Sequence, residues 1–288
     1  MSAGRYARAL AQDERALALA IRIDGKDSPA AGQRMNRLAL ALQALGQHDQ
    51  ALPQFEQALS IARVAEGPDG IDTAIELHNL GRLARLRGDP AGGLPLLEQA
   101  YGIAERNHAI EPFVHALMLK SLGDSSLALG DTDRAADYLE RALAEGRTAW
   151  GAEHLNVGRT LTSLALERLR TNRASDAVPL LEHAERIAEA VGDRDSQWRA
   201  LSELAEAHAR LGDAPAAIAL DERAVDAIQS LRADVGTGTD RQRAFLSDKR
   251  EVYEALAAQL TAANRIEEAR RVGRLLADAD AFPSLASK

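Results

Sequence analysis

The residue types present limit the chemistry open to this chain. It has seven histidines and no cysteine, so thiol nucleophiles and thiolate metal ligands are excluded. No histidine pair has the His-Glu-x-x-His spacing of zinc peptidases, and none lies near carboxylates at ligand spacing. The run VGTGTD (235–240) follows a helical pattern, whereas a phosphate-binding loop follows a strand. We therefore predict no catalytic residue, no metal and no cofactor, and we interpret the run as a flexible connection.

Bulk composition excludes several classes of partner. The formal net charge is -8 and the pI is about 5.5, so no basic footprint for nucleic acid is present. No apolar run is long enough to cross a membrane, and the opening MSAGRYARAL has no apolar signal core. The absence of cysteine fits a reducing compartment. We expect a cytoplasmic protein that contacts neither nucleic acid nor membrane.

A turn residue recurs at a near-constant interval. Gly and Asn tolerate the left-handed backbone at a helix C-terminus, and here they lie 42, 42, 42, 42, 40 and 52 residues apart. A small residue follows each at the fifth position, and Leu precedes most of them by eight. Each unit is interpreted as helix A, a tight turn and helix B, for example 33–45 and 48–64. The anchors are Gly4, Gly46, Gly88, Gly130, Asn172, Gly212 and Asn264.

Such helix pairs cannot bury both faces alone, so they must stack. The predicted fold class is all-α, a right-handed α-α superhelix of helix pairs. We predict one solenoid over 1–288. It comprises a half repeat at 1–32, regular repeats at 33–245, and a divergent last repeat and tail at 246–288.

The inward polar positions of the A helices form the predicted binding groove. They lie thirteen, ten, six and three residues before each anchor, and several are cationic although the chain is acidic. Such a groove suits an acidic peptide or a C-terminal carboxylate, which arginine binds through forked hydrogen bonds. The alternative is a merely solvated helix face. The candidates are Gln33, Asn36, His78, Arg82, Arg85, Lys120, Asp124, Arg159, Thr162, Arg199 and Ser202.

Three helix B segments share a proline near their first turn: ALPQFEQAL (51–59), GGLPLLEQA (92–100) and AVPLLEHAE (177–185). This frame resembles tetratricopeptide repeats, and the 42-residue period resembles their kinesin-light-chain type. The segment WGAEHLNVGRTLTSLA (150–165) resembles the inter-repeat signature of that type, with Leu155 where proline is usual. The resemblance implies a scaffold that binds a protein or peptide and is not an enzyme.

The last unit carries a ten-residue insertion, since its spacing is 52 instead of 42. Residues 227–270 resemble the closing repeat of bacterial tetratricopeptide proteins that carry a CHAT domain, a caspase-like protease. This resemblance implies the regulatory region of a CHAT-type protease system in a bacterium. The matching residues are Ser230, Leu231, Arg232, Arg243, Phe245, Leu246, Val252, Tyr253, Glu254, Leu256, Glu268 and Ala269.

Two other functions stay open. The chain could be a receptor for a signalling peptide or small ligand, whose superhelix changes shape on binding. It could instead self-associate through the N-terminal half repeat. Gly4 opens a helix B with no helix A before it, so we expect either a preceding segment in a longer protein or a cap.

Overall fold

The structure is a computed structural model that describes residues 3–107, 111–232, 245–246 and 249–280. The run VGTGTD lies outside these residues. Within them the regular elements are thirteen α-helices and no strand, as predicted. The helices are α1 (Ala3–Asp24), α2 (Pro29–Ala44), α3 (His48–Glu66), α4 (Ile71–Leu86), α5 (Pro90–Arg106), α6 (Pro112–Ala128), α7 (Thr132–Trp150), α8 (Leu155–Arg170), α9 (Ala174–Val191), α10 (Arg194–Arg210), α11 (Ala214–Arg232), α12 (Arg250–Ala262) and α13 (Ile266–Asp280).

The predicted turn residues separate helix A from helix B. At the first of them, Gly46 N–H donates to Gln43 O at 3.0 Å and Gln47 N–H donates to Leu42 O at 2.9 Å, which satisfies carbonyls at the end of α2. Gly4 was wrongly included, because α1 begins at Ala3 and Gly4 lies inside its first turn. Positive φ angles confirm the other six: Gly46 72°, Gly88 85°, Gly130 82°, Asn172 58°, Gly212 83° and Asn264 60°.

An aspartate directly after the turn begins several B helices. Asp89 Oδ1 accepts from Gly92 N–H at 2.8 Å, and Asp131 Oδ1 accepts from Arg134 N–H at 3.1 Å. A side-chain cap of this kind stabilises a helix by about 1 kcal/mol. At Gly88–Asp89 and Gly130–Asp131, the turn glycine and the capping aspartate together make the A-to-B junction short.

Small residues let helix A approach helix B closely. A Cβ placed on Gly81 of α4 would lie 2.8 Å from Gly93 O and 2.7 Å from Leu97 Cγ of α5. A Cβ on Gly123 of α6 would lie 2.6 Å from Leu139 Cγ of α7. These contacts confirm the prediction that the repeating small residues mark helix crossings.

The chain divides within α8 into two compact units, Ala3–Ser163 and Leu164–Lys288. In the first unit, each helix from α1 to α7 packs on the next, around a core rich in leucine and alanine with Phe55 fully buried. In the second unit, α9 to α13 pack in the same serial manner, and Trp198 and Tyr253 lie in the core. None of the described helices is long and apolar enough to span a membrane.

Candidate functional site

Four cations and one carboxylate lie near one another on the A helices of the first unit. Lys120 and Asp124 are one turn apart on α6, and Lys120 Nζ donates to Asp124 Oδ2 at 2.7 Å. Arg85 of α4 places Nη2 at 3.8 Å from the same oxygen. Arg82 of α4 and Arg159 of α8 lie near enough to act electrostatically on each other. We call Arg82, Arg85, Lys120, Arg159 and Asp124 the cationic cluster.

Asp124 is the internal counter-ion of the cluster. Burial acts to raise the pKa of Asp124, but Lys120 and then Arg85 outweigh it, helped by hydrogen bonds from Lys120 and Ser163. The pKa of Asp124 is therefore held below its usual value, and the carboxylate is charged near neutral pH. Its side chain is 16% exposed, and that of Lys120 is 21% exposed. The pair is partly desolvated but still open to a ligand.

Arg82 feels the charge of Asp124 but forms no ion pair with it. No hydrogen bond or ion pair to its guanidinium is present among the residues that the structure describes. Burial, then the charge of Arg85, and also that of Arg159, lower the pKa of Arg82, while Asp124 acts in the opposite direction. Arg85 is similar in one respect, since its Nε is buried with no hydrogen-bond partner. The cluster thus keeps donor capacity that its own carboxylate does not use.

A second polar row joins the A helices of neighbouring repeats. Asn79 Nδ2 of α4 donates to Asn36 Oδ1 of α2 at 3.1 Å, and His78 Nε2 lies 2.8 Å from Ser121 Oγ of α6. Ser163 hydrogen-bonds Asp124 in the same way. Sequence reasoning missed Asn79, Ser121 and Ser163, although all three lie nine residues before an anchor. That recurring polar register was the signal that could have found them.

His78 and Ser121 form a buried structural pair. His78 is 7% exposed and Ser121 is 5% exposed. Burial and then the charge of Arg82 lower the pKa of His78 to about 3, against a backbone hydrogen bond at Leu117, so the ring is neutral near pH 7. Ser121 Oγ donates to Leu117 O at 3.1 Å within α6. This hydroxyl is engaged in its own helix, and the arrangement is that of a repeat contact.

The other candidates of the first unit lie apart from the cluster. Gln33 is exposed on α2 and hydrogen-bonds Asp72 of α4. Asn36 is half-buried and bonded to Asn79. Thr162 Oγ1 donates to Gly158 O at 3.2 Å within α8. These side chains belong to the A helices α2 and α8, and their described bonds are to the protein itself.

In the second unit, Arg199 and Ser202 lie on α10. The Arg199 guanidinium lies 4.4 Å from the centre of the Trp198 ring, and its Nε donates to Asp195 Oδ2 at 3.3 Å. Ser202 is half-buried one turn further on. Sequence reasoning missed Glu203 next to it, whose Oε2 is buried without a hydrogen-bond partner. Burial and then the charge of Glu206 raise the pKa of Glu203 to about 7.

Within the described residues, no three histidine, aspartate or glutamate side chains converge to hold a metal ion.

A family model described as "Tetratricopeptide repeat" matches residues 1–63, 33–106 and 114–190. The chain belongs to the tetratricopeptide repeat family. Tetratricopeptide repeats form protein-interaction scaffolds, and the polar row at the A helices is a repeat-to-repeat contact of this array.

Solved structures share the tetratricopeptide fold. A putative kinesin light chain repeat protein from Podosopora anserina has a TM-score of 0.55 at 22% identity, and the match covers 71% of this chain and 98% of that one. BtubC (BKLC) from P. vanneervenii has a TM-score of 0.61 at 19% identity, covering 79% and 92%. A Rap protein complexed with Competence and Sporulation Factor has a TM-score of 0.62 at 16% identity, covering 88% and 64%. No curated protein compared with the chain matches it.

Proposed function

We propose that the chain binds a partner protein or peptide through the A helices α4, α6 and α8 of the first unit. The cationic cluster holds an acidic group of that partner. The observation that carries the proposal is Arg82, a half-buried arginine that forms no hydrogen bond or ion pair with the described residues and feels the charges of Arg85 and Arg159. An anionic partner group would supply the missing counter-charge.

Charge supports an acidic partner. Arg82, Arg85 and Lys120 carry three positive charges against the single carboxylate of Asp124, a local charge of +2 on a chain whose net charge is -8. Because the rest of the protein repels anions, an acidic segment would be drawn to this part of the surface in particular. Arginine and lysine at partly desolvated positions also make shorter and stronger hydrogen bonds to carboxylates than neutral donors do.

The fold supports the mode of binding. The family is one of interaction scaffolds, and one solved structure with the same fold is a Rap protein complexed with Competence and Sporulation Factor. That complex concerns the Rap protein alone, and the likeness at 16% identity extends to the fold. It supports the use of a tetratricopeptide array for holding a factor, while the acidic character of the partner rests on the cluster.

The test compares two double variants with the same change of net charge. Arg82→Gln with Lys120→Gln alters the cluster, and Arg87→Gln with Arg106→Gln alters exposed arginines that pair with Asp49 and Asp69. Fluorescence anisotropy would follow a labelled peptide with six glutamates and its six-glutamine counterpart. We expect the wild type and the control to bind the acidic peptide about tenfold more tightly than the cluster variant does. Equal affinities for all three proteins would reject the proposal.

The finer form of the proposal is a regulatory role in a CHAT-type protease system. The resemblance of residues 227–270 supports it. Several of the matching residues pack the end of the second unit, since Tyr253 is 1% exposed and accepts a hydrogen bond from Gln229 at 2.9 Å. Arg243 lies outside the described residues. Purified CHAT protease should change its cleavage rate when this chain is added, and no change at any ratio would count against this role.

The two other functions give different readouts. A signalling-peptide receptor would change its small-angle scattering profile on binding the acidic peptide, whereas a static scaffold would not. Self-association through α1 is supported by exposed apolar side chains, Leu19 at 46% and Ile23 at 68%. It predicts a molecular mass that rises with concentration and falls back in an Ile23→Ser variant. We propose the cytoplasm as the location of the protein for all of these functions.

A further inference from the structure

We propose that the anionic group held by the cationic cluster is a phosphoryl group on a partner side chain. This inference rests on the proposed function, because it names the chemistry that the same site would recognise. A phosphoryl group carries a charge between about -1.5 and -2 near pH 7 and has three strong acceptor oxygens. Two features of the cluster favour a phosphoryl group: its cationic donors come from several helices, and their positive charge exceeds the charge of Asp124.

The donors come from three helices. Arg82 and Arg85 belong to α4, Lys120 to α6 and Arg159 to α8. A planar carboxylate is best matched by one forked guanidinium, whereas a tetrahedral phosphoryl group accepts from several directions at once. Lys120 and Arg85 are both drawn toward Asp124 Oδ2, at 2.7 and 3.8 Å, so they are already ordered before a ligand arrives. Asp124 thus acts as a positioning residue.

The hydrogen-bond donors that the cluster leaves unused belong mainly to arginine. The guanidinium of Arg82 has no hydrogen bond or ion pair within the described part of the chain, and Arg85 Nε is buried without a partner. Arg82, Arg85 and Lys120 outnumber Asp124 by two charges, so a single carboxylate would reduce a local charge of +2 to +1, whereas a phosphoryl dianion would reduce it to 0. The like charges that destabilise Arg82 are therefore relieved further by the dianion. This difference is the basis for selectivity over acidic side chains.

The experiment titrates the full chain with defined probes at constant ionic strength in chloride buffer. The probes are inorganic phosphate, succinate and acetate, followed by a serine-containing peptide in phosphorylated form and with glutamate in place of the phosphoserine. Calorimetry would give the affinity of each for the wild type, Arg82→Gln and Arg87→Gln. Arg87 is the matched control because it is an exposed arginine at the end of α4 that pairs with Asp49.

We expect the phosphopeptide to bind about tenfold more tightly than the glutamate peptide, and phosphate more tightly than succinate or acetate. Arg82→Gln should weaken phosphopeptide binding by about tenfold, with Arg87→Gln close to the wild type. Inorganic phosphate as tight as the phosphopeptide would overturn the assignment to a partner side chain in favour of free phosphate. Equal binding of succinate and phosphate, or equal loss in both variants, would overturn the phosphoryl site altogether.

The outcomes also separate this inference from the proposed function. If the glutamate and phosphoserine peptides bind equally and both depend on Arg82, the phosphoryl assignment fails while recognition of an acidic partner stands. If phosphate binds through Arg82 but no peptide binds more tightly than phosphate, the peptide-binding proposal fails and an oxyanion site remains. Circular dichroism of each variant would verify that the helices are intact.

Discussion

At the scale of single residues, the polar side chains of the A helices mostly bond to one another. His78 contacts Ser121, Asn79 contacts Asn36, and Lys120 holds Asp124. Such buried polar contacts cost little when satisfied and much when one partner is lost. What distinguishes Arg82 from these residues is that no described group satisfies it. Two predictions concern buried groups whose protonation or pairing decides stability.

Glu76 of α4 should make the protein less stable as pH rises. It is 4% exposed, and its Oε2 has no hydrogen-bond partner. Burial raises its pKa from 4.5 to about 8, with a hydrogen bond from Asn79 opposing and Asp72 adding to the shift. The fold therefore favours the protonated form, and stability is lost between pH 4.5 and about 8.

Glu76→Gln should raise the melting temperature at pH 8.5 by several degrees (about 1–3 kcal/mol) and change it little at pH 4.5. Glu56→Gln on the exposed face of α3 is the matched control. Thermal melts by circular dichroism across this pH range would measure both. A constant difference between Glu76→Gln and the wild type at all pH values would contradict the assignment.

The His78–Ser121 contact should show coupling in a double-mutant cycle. Both groups are buried and 2.8 Å apart on α4 and α6, so removal of either partner leaves the other without this bond. We expect His78→Ala and Ser121→Ala together to cost less than the sum of the two, with a coupling energy of about 1 kcal/mol. Urea unfolding would supply the four free energies. Strict additivity would mean that the contact contributes nothing to stability.

At the scale of helices, close approach at glycine sets the geometry of the α4–α5 pair. Gly81 and Gly93 face each other across α4 and α5, where a Cβ on Gly93 would lie 2.5 Å from Gly81 O. Because the obstacle is backbone, neither helix can yield without moving as a whole. Sequence reasoning placed these small residues at helix crossings but gave no measure of how close the backbones come.

Gly81→Ala should therefore destabilise the protein by about 1–3 kcal/mol, since overpacking strains the α4–α5 crossing. Gly102→Ala on α5 is the control, because its Cβ would meet only the Arg106 side chain at 3.4 Å. That change should be neutral or stabilise the helix by up to about 1 kcal/mol, because alanine is the better helix former. If both variants lose the same free energy of unfolding, steric crowding at Gly81 is not the cause.

At the scale of the whole molecule, the chain divides into two compact units, and α1 to α7 in the first and α9 to α13 in the second each pack on the next helix along the chain. In such arrays stability is a sum of repeat and nearest-neighbour contributions, so damage stays local. A perturbation in the first unit should therefore spread only to adjacent pairs. The binding proposals depend on this property, because a variant at Arg82 must leave distant repeats folded.

Hydrogen exchange on Gly81→Ala would test this locality. Amides of α4 and α5 should exchange about tenfold faster or more than in the wild type, whereas those of α10 and α11 should keep their protection. Mass spectrometry after pepsin digestion resolves these helices. Uniform acceleration across both units would show a single cooperative domain.

The sequence predicted the helix pairs and their junctions well, because these depend on local chemistry. Six of the seven turn anchors have positive φ, and the seventh failed because Gly4 lies inside the first turn of α1 and not at a turn between two helices. The glycines that end the B helices were missed, and they include Gly25, Gly67 and Gly151 with φ of 92°, 85° and 87°. Gly25 and Gly67 are 42 residues apart, but Gly151 follows only after 84, because Ala109 stands where the next glycine would fall.

What the sequence determined by itself is the fold class, the repeat period and the positions that line the A helices, since helix-forming residues, turn residues and caps act within a few residues of each other. Only the tertiary structure decided which polar side chains form hydrogen bonds to a neighbouring repeat and which keep their donors available for a ligand. Those contacts join residues about 40 apart, such as His78 with Ser121 at a separation of 43. Whether such a pair meets depends on how neighbouring A helices pack, and that packing leaves Arg82 half-buried with no hydrogen bond or ion pair to its guanidinium among the described residues.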